Sequence, residues 1–312
     1  MRKILLLLCL ISFSIHSQNL EKVDLIVKSY QPISTVEALA AKIDYDFKTD
    51  LEKARAIFTW ITLNIRYDLI STQTNLLNSP EVYVYFNKRD LERRIQYNED
   101  KLVTKTIQTK KALCKGIALT FQKLCTLLKI ENELIKGYMK TSENDINYIA
   151  KNKNHAWNAV KIDEKWIFLD VTARIDNQGR YPKPNYLYFD ISPEKLNLTH
   201  YPSKQKWISF FDQKTLEVFC NQPFFTTAFL ESNAILVAPI MGNIKQGGKI
   251  KFELNNLEPY TSISFGYRNV IKKAKIIYND DKIFAEIFIP NKESNFTLYF
   301  NDKAAISYKV KQ

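Results

Sequence analysis

Cys114, His155 and Asp170 each stand in a local context suited to one member of a nucleophilic triad. Cys114 lies in Ala112-Leu113-Cys114-Lys115-Gly116, just ahead of a run with helical spacing. His155 lies in Asn154-His155-Ala156-Trp157-Asn158, and Asp170 closes Trp166-Ile167-Phe168-Leu169-Asp170. A thiol activated by an imidazole, itself oriented by a carboxylate, is the minimal apparatus for acyl transfer through a thioester. The chain holds three histidines. His16 is expected to leave with an N-terminal export signal, so His155 and His200 remain as the available bases.

At or just before the first turn of a helix, Cys114 would meet unpaired backbone N–H groups and the positive end of the helix dipole. Both favour a thiolate, and the same N–H groups could hold the oxyanion of a tetrahedral intermediate. Gly116 would let the backbone approach a substrate closely. Trp157 and Asn158 flank the base, and Asn158 could donate to a substrate carbonyl. Taken singly, each residue also has a structural reading: a buried inert cysteine, a core histidine, a strand-end aspartate, a packed tryptophan.

The elements that must position these groups are legible in part. Ser34-Thr35-Val36-Glu37 reads as a capping box opening a short helix through about Ile43. Thr49-Asp50-Leu51-Glu52 reads as another, followed by Leu51, Ala54, Phe58, Ile61 and Ile65 at helical spacing. The segment 71–108 is polar and weakly periodic; it reads as a helix or a long ordered loop, and its place before the nucleophile allows a cover over the site. A helix is expected over Lys115 to Lys129 and a strand over Glu133 to Lys140. His155 to Ile162 and Lys165 to Val171, joined by Asp163-Glu164, form a hairpin signal. A register pairing His155 with Asp170, Trp157 with Phe168 and Ala159 with Trp166 would set base and carboxylate on one face.

From about Phe229 to the C-terminus the texture changes to short alternating runs, such as Ile250-Phe252-Leu254 and Phe296-Leu298-Phe300. Clusters such as Gly247-Gly248 and Asn279-Asp280-Asp281 separate them. That pattern predicts a small all-β sandwich over 229–312. With an N-terminal export signal over 1–17, the remaining 18–228 would form an α+β domain carrying the three candidate residues.

Arg2 and Lys3 precede the apolar stretch Ile4 to Ile15, which is too short for a comfortable membrane span. The expected location is therefore outside the cytoplasm, periplasmic or secreted. Beyond that signal the cysteines are Cys114, Cys125 and Cys220. An odd set suggests one free thiol, and a Cys125–Cys220 bridge is conceivable. Net charge is +12, but the lysines are scattered and no basic stripe interleaves with aromatics. A nucleic-acid partner is not expected; an envelope surface or protein partner for the C-terminal domain is an option. There is no His-Glu-x-x-His, no Cys-x-x-Cys and no phosphate-binding glycine loop among the seven glycines. Neither metal nor cofactor is expected.

Together, Cys-Lys-Gly-Ile-Ala at 114–118, His-Ala-Trp-Asn-Ala-Val at 155–160 and Asp-Val-Thr at 170–172 resemble the transglutaminase-like superfamily, closest to its kyphoscoliosis-peptidase branch. Trp60 to Asp68 is similar to the segment ahead of the nucleophile in that group. Tyr188-Phe189, Ser192-Pro193-Glu194, Thr199 to Pro202 and Trp207 are similar to its downstream segment. The resemblance implies a papain-like α+β core, with Cys114 as nucleophile, His155 as general base and acid, and Asp170 as its orienter. His200 is structural on this mapping. Ala112, Ile117 and Ala173 depart from the usual flanks. The implied activity is that of a peptidase, amidase or acyltransferase on protein or peptide amides, with hydrolysis favoured over cross-linking. The alternative is a non-catalytic binding or scaffold protein on the same fold.

Overall fold

The structure is a computed structural model, and it describes residues 20–69, 82–172, 186–212, 214–267, 270–279 and 282–311. The expected export signal, the first part of the 71–108 segment and Ala173 lie outside the described residues. The chain divides into two compact units, Met1–Lys136 with Asn154–Ile191, and Gly137–Lys153 with Ser192–Gln312. Residues 192–228, grouped with the α+β domain on sequence grounds, cluster here with the C-terminal strands.

Hydroxyl caps start the first helices. α1 (Val36–Asp46) is capped by Thr35, whose side chain accepts from the Ala38 N–H. The cap therefore lies one residue beyond the expected Ser34, which takes Glu37 out of the position where it could close a box. α2 (Asp50–Asn64) begins at Thr49 with both bonds of a capping box, Thr49 to the Glu52 N–H and Glu52 back to the Thr49 N–H. Its Ala54, Ile57, Phe58 and Ile61 are buried in the core. A bidentate buried ion pair ties α2 to the helical residues 20–28: Arg55 donates to both Asp24 oxygens at 2.9 Å, and Thr59 adds a bond at 2.6 Å. The Arg55 guanidinium lies 3.2 Å from the centre of the Tyr186 ring.

The later part of the 71–108 segment is a helix, α3 (Lys88–Thr109), capped by the Asn87 side chain. Only Asp90, Val103, Thr106 and Ile107 of it are buried, which explains its weak apolar period. It ends at Lys110 in the left-handed region, φ 55°. Beyond it, β2 (Lys111–Ala112) pairs in parallel with β1 (Arg66–Tyr67), setting Tyr67 opposite Ala112. α4 (Cys114–Leu127) follows at once, with Phe121, Leu124 and Cys125 fully buried.

β3 (Asn132–Met139), β4 (His155–Ile162) and β5 (Lys165–Leu169) lie in the order β5-β4-β3. The β4–β5 ladder pairs Asn158 with Leu169, Ala159 with Phe168 and Ile162 with Lys165. This corrects the expected register by two residues. The cause is the loop: Asp163 and Glu164 both have positive φ, 47° and 63°, as a two-residue hairpin turn requires, and such a turn makes Ile162 and Lys165 the closing pair. A shift of two preserves the face on which every side chain lies, so His155 and Asp170 stay on one side of the hairpin as diagonal rather than direct neighbours.

In the second unit β6 (His200–Pro202) pairs with the end of β3. The C-terminal strands are β7 (Phe224–Phe225), β8 (Ile235–Ala238), β9 (Asn243–Lys245), β10 (Gly248–Asn255), β11 (Ile263–Tyr267), β12 (Val270–Lys273), β13 (Ile276–Asn279), β14 (Lys282–Ile289), β15 (Asn295–Phe300) and β16 (Lys303–Lys311). They form two sheets, β13-β14-β10-β8 and β12-β11-β15-β16-β7, with β9 alongside β16. One core joins the facing sides, with Phe252 and Ile287 from the first sheet meeting Phe296, Leu298 and Tyr308 from the second. The fold is α+β, a helix-and-sheet core followed by an all-β sandwich.

Candidate active site

Cys114 is the first residue of α4, and its N-cap, Leu113, has no side chain able to accept from the first turn. A polar cap would stabilise such a helix by about 1 kcal/mol. Its omission leaves the N-terminal N–H groups and dipole directed at the thiol. β4 supplies His155 at its first position, and the short β5 ends at Leu169, so Asp170 emerges at the same end of the hairpin. Asn158 locks the two layers together: its side-chain amide donates to the Ala118 carbonyl of α4 at 3.0 Å, and the residue is buried.

The three candidate residues converge. His155 Nε2 lies 2.6 Å from Asp170 Oδ2, and the Cys114 thiol hydrogen-bonds to the same imidazole. With Nε2 engaged by the carboxylate, the thiol bond falls to Nδ1. The second carboxylate oxygen is also held: Thr172 donates to Asp170 Oδ1 from its N–H at 2.7 Å and its hydroxyl at 2.8 Å. The Asp170 N–H in turn donates to the Tyr188 carbonyl at 2.9 Å. The carboxylate cannot rotate without breaking charge-assisted bonds, each contributing about 1.5–3 kcal/mol.

Burial alone would push the Cys114 thiol up. The hydrogen bond and positive charge of His155, together with the Ala156 N–H, outweigh burial and the Asp170 charge, so the thiol lies below its ordinary value. For His155, burial opposes protonation, but the Asp170 charge and hydrogen bond, then Cys114, raise it above the usual imidazole value. The two directions agree: both shifts favour a thiolate–imidazolium pair over the neutral thiol and imidazole.

The remaining predicted residues have defined places. The Trp157 ring is buried and stacks on His155, 5.9 Å between centroids and 20° between planes. Asn158 faces α4, as above. The space beside Gly116 is filled, since an added Cβ would lie 2.9 Å from Ala112 Cβ and 3.0 Å from Thr106 Oγ1; the chain that approaches this backbone is α3. His200 is fully buried in the second unit, with Nδ1 2.8 Å from the Thr199 hydroxyl. Cys114, Cys125 and Cys220 are all free, so the conceivable Cys125–Cys220 bridge is not formed. Burial raises both Cys125 and Cys220, as expected of unreactive thiols.

Two residues near the site stood in the quoted motif segments without a role being read for them. Thr172 carries a local signal, a hydroxyl residue two places after an aspartate, which is the spacing of a side-chain turn. Tyr67 stands in the 60–68 segment, but its place opposite Ala112, two residues before Cys114, comes from the parallel pairing of two short strands. Burial, then the neighbouring charge of Cys114, raises its phenol well above the ordinary value.

Residues 37–171 match the family model of the transglutaminase-like superfamily, so the chain carries a transglutaminase-like domain. The chain is homologous to kyphoscoliosis peptidase, the branch its motifs resemble. It is 24% identical over 256 residues to the Homo sapiens protein, covering 80% of this chain and 35% of that one. It is 22% identical over 246 residues to the Mus musculus protein, covering 77% and 34%. The chain thus spans about a third of the length of these relatives. A crystal structure of a TGase aligns at 17% identity over 50% of this chain and 37% of that chain, with a TM-score of 0.32.

Proposed function

We propose that this protein is a cysteine-dependent acyl-transfer enzyme that hydrolyses amide bonds of proteins or peptides through a thioester on Cys114. The observation that carries this reading is the shared imidazole: one ring nitrogen on Asp170 at 2.6 Å, the other on the Cys114 thiol. The thiolate lone pair forms the S–C bond while the carbonyl π pair moves to oxygen. Collapse of that intermediate expels the amine, which takes the Nδ1 proton of His155. The neutral imidazole then accepts a proton from water as the water attacks the thioester, and the carboxylate product leaves with Cys114 restored. Asp170 holds the ring in the tautomer that both steps need.

An amine could replace water in the second half without any other change, which is why peptidase and cross-linking activity share this apparatus. We favour water, together with action outside the cytoplasm as the N-terminal sequence suggests, with the sandwich available to a partner or surface. The test is cleavage of a quenched fluorescent protein substrate in parallel with incorporation of a fluorescent primary amine, using wild type, Cys114→Ala and His155→Ala. Cleavage by wild type alone supports the reading; amine incorporation without cleavage would replace hydrolysis by cross-linking; neither would contradict the enzyme reading.

A further inference from the structure

We infer that Thr172 is a positioning residue whose hydroxyl selects the Asp170 oxygen that meets the imidazole and keeps the proton of a neutral His155 on Nε2; this rests on the acyl-transfer reading above. Asp170 lies past the last pair of the β4–β5 ladder, Asn158 with Leu169. An aspartate side chain turns about χ2 between two nearly equivalent settings that exchange its oxygens. Here the oxygens are not equivalent. Thr172 donates to Oδ1 from its N–H at 2.7 Å and its hydroxyl at 2.8 Å, and Oδ2 is left to His155 Nε2 at 2.6 Å. The N–H bond is a side-chain turn that any residue except proline at 172 could close, whereas the hydroxyl bond needs Thr or Ser. Asp170 and Thr172 are 2% and 5% exposed, away from bulk water that could stand in for a lost donor.

The same hydroxyl faces the ring. Thr172 Oγ1 lies 3.5 Å from His155 Nε2, and with its single proton directed at Oδ1 it presents a lone pair to that nitrogen. Nε2 therefore meets two acceptors, Asp170 Oδ2 and, more distantly, Thr172 Oγ1, and both favour an N–H there. An imidazolium carries protons on both nitrogens, so the preference matters only once the ring is neutral. That is the state of the thioester, after the Nδ1 proton has left with the amine. The remaining proton must stay on Nε2 for Nδ1 to accept one from water. If the carboxylate turned, or the proton passed to Nδ1, the base would be lost and the thioester would persist. Thr172 thus acts on the second half of the reaction rather than the first.

The experiment follows formation and loss of acetyl-Cys114 by mass spectrometry after p-nitrophenyl acetate treatment of the full chain, in wild type, Thr172→Val and Thr172→Ser. Nitrophenolate leaves without a proton, so acetylation does not call on the neutral ring, whereas hydrolysis of the thioester does. The expected result is acetylation within about threefold of wild type in both variants, and hydrolysis slower by about tenfold or more in Thr172→Val alone, the factor set by one hydrogen bond to a charged group. NMR of the chain with 15N-labelled histidine gives a companion signature. The proton of the 2.6 Å bond should lie far downfield on His155 Nε2 in wild type and Thr172→Ser, and move upfield or vanish in Thr172→Val. Unchanged hydrolysis and an unchanged proton signal in Thr172→Val would refute the inference. Equal losses in Thr172→Val and Thr172→Ser would refute it as well, because packing rather than the hydroxyl would be the cause. If urea unfolding shows that Thr172→Val is not folded, Thr172→Ala is the hydroxyl-free variant read against Thr172→Ser by the same criteria. A wild type that gains no acetyl group on Cys114 would overturn the acyl-transfer reading, and the proton signals would still decide whether Thr172 sets the Nε2 proton.

Discussion

Replacing Asp170 by Asn should disarm the site through the proton inventory of His155. The Asp170 Oδ1 position receives two donors from Thr172, at 2.7 and 2.8 Å, so the Asn oxygen will settle there. Its NH2 group is then directed at His155 Nε2, which lies 2.6 Å from Oδ2 in the native protein. Two N–H groups cannot face each other at that distance, so Nε2 must lose its proton and accept. The ring becomes neutral with its proton on Nδ1, the nitrogen that should take the thiol proton. The carboxylate charge is lost as well. A unit charge about 4 Å away at an effective dielectric of about 20 is worth roughly 4 kcal/mol, or a drop of about 3 in the His155 pKa. With three histidines in the whole chain, the ring signals can be assigned and followed by NMR. In wild type the His155 signal should not titrate between pH 6 and 8. In Asp170→Asn a value brought down by about 3 from about 10, and further by the lost acceptor, should leave the ring largely neutral at pH 8, and Cys114 should alkylate at pH 6.5 more slowly than in wild type. A wild-type His155 that titrates near 6.5, or an Asp170→Asn ring that remains protonated, would refute the reasoning.

The other predictions concern what holds the site in place. Arg55→Met strands the Asp24 carboxylate, buried and short of two of its donors, and should destabilise the first unit by about 3–5 kcal/mol in urea unfolding followed by tryptophan fluorescence. Asn158→Leu leaves the Ala118 carbonyl buried without its 3.0 Å donor and should cost about 1–3 kcal/mol in the same assay. Asp163→Asn with Glu164→Gly suits the positive φ angles of 47° and 63° and should raise stability by about 0.5–1 kcal/mol, leaving Cys114 alkylation unchanged. A fall in stability there would mean that the 2.7 Å contact of Glu164 with Lys161 outweighs backbone relief.

What the sequence disclosed follows from the range of the interactions involved. The Thr49–Glu52 box and the apolar face of α4 are written within four residues of one another, and both stand in the structure where the sequence placed them. The α1 cap is displaced because Ser34 and Thr35 are chemically equivalent candidates and only the backbone decides between them. The hairpin register was misjudged by two although its cause was visible. A two-residue loop at 163–164 admits only the Ile162–Lys165 closure. α3 hid because its buried face is four residues among twenty-two, two of them polar. Tyr67 was named within the 60–68 segment, but its place opposite Ala112 was not legible, since it depends on a parallel pairing between residues some forty-five positions apart. The three candidate residues were legible because each carries a local signature. Their convergence depended on the hairpin and on the Asn158 link to α4.

The most direct test of the account is the pH dependence of Cys114 alkylation. Brief iodoacetamide treatment between pH 5 and 9, read by intact-protein and peptide mass spectrometry, follows Cys114 beside Cys125 and Cys220, whose burial predicts slow labelling. A thiol below its ordinary value and paired to imidazolium should label rapidly and selectively below pH 7, and His155→Ala should abolish that reactivity. Labelling that rises only near pH 8–9, as for an unperturbed thiol, and is indifferent to His155→Ala, would contradict the assembled triad.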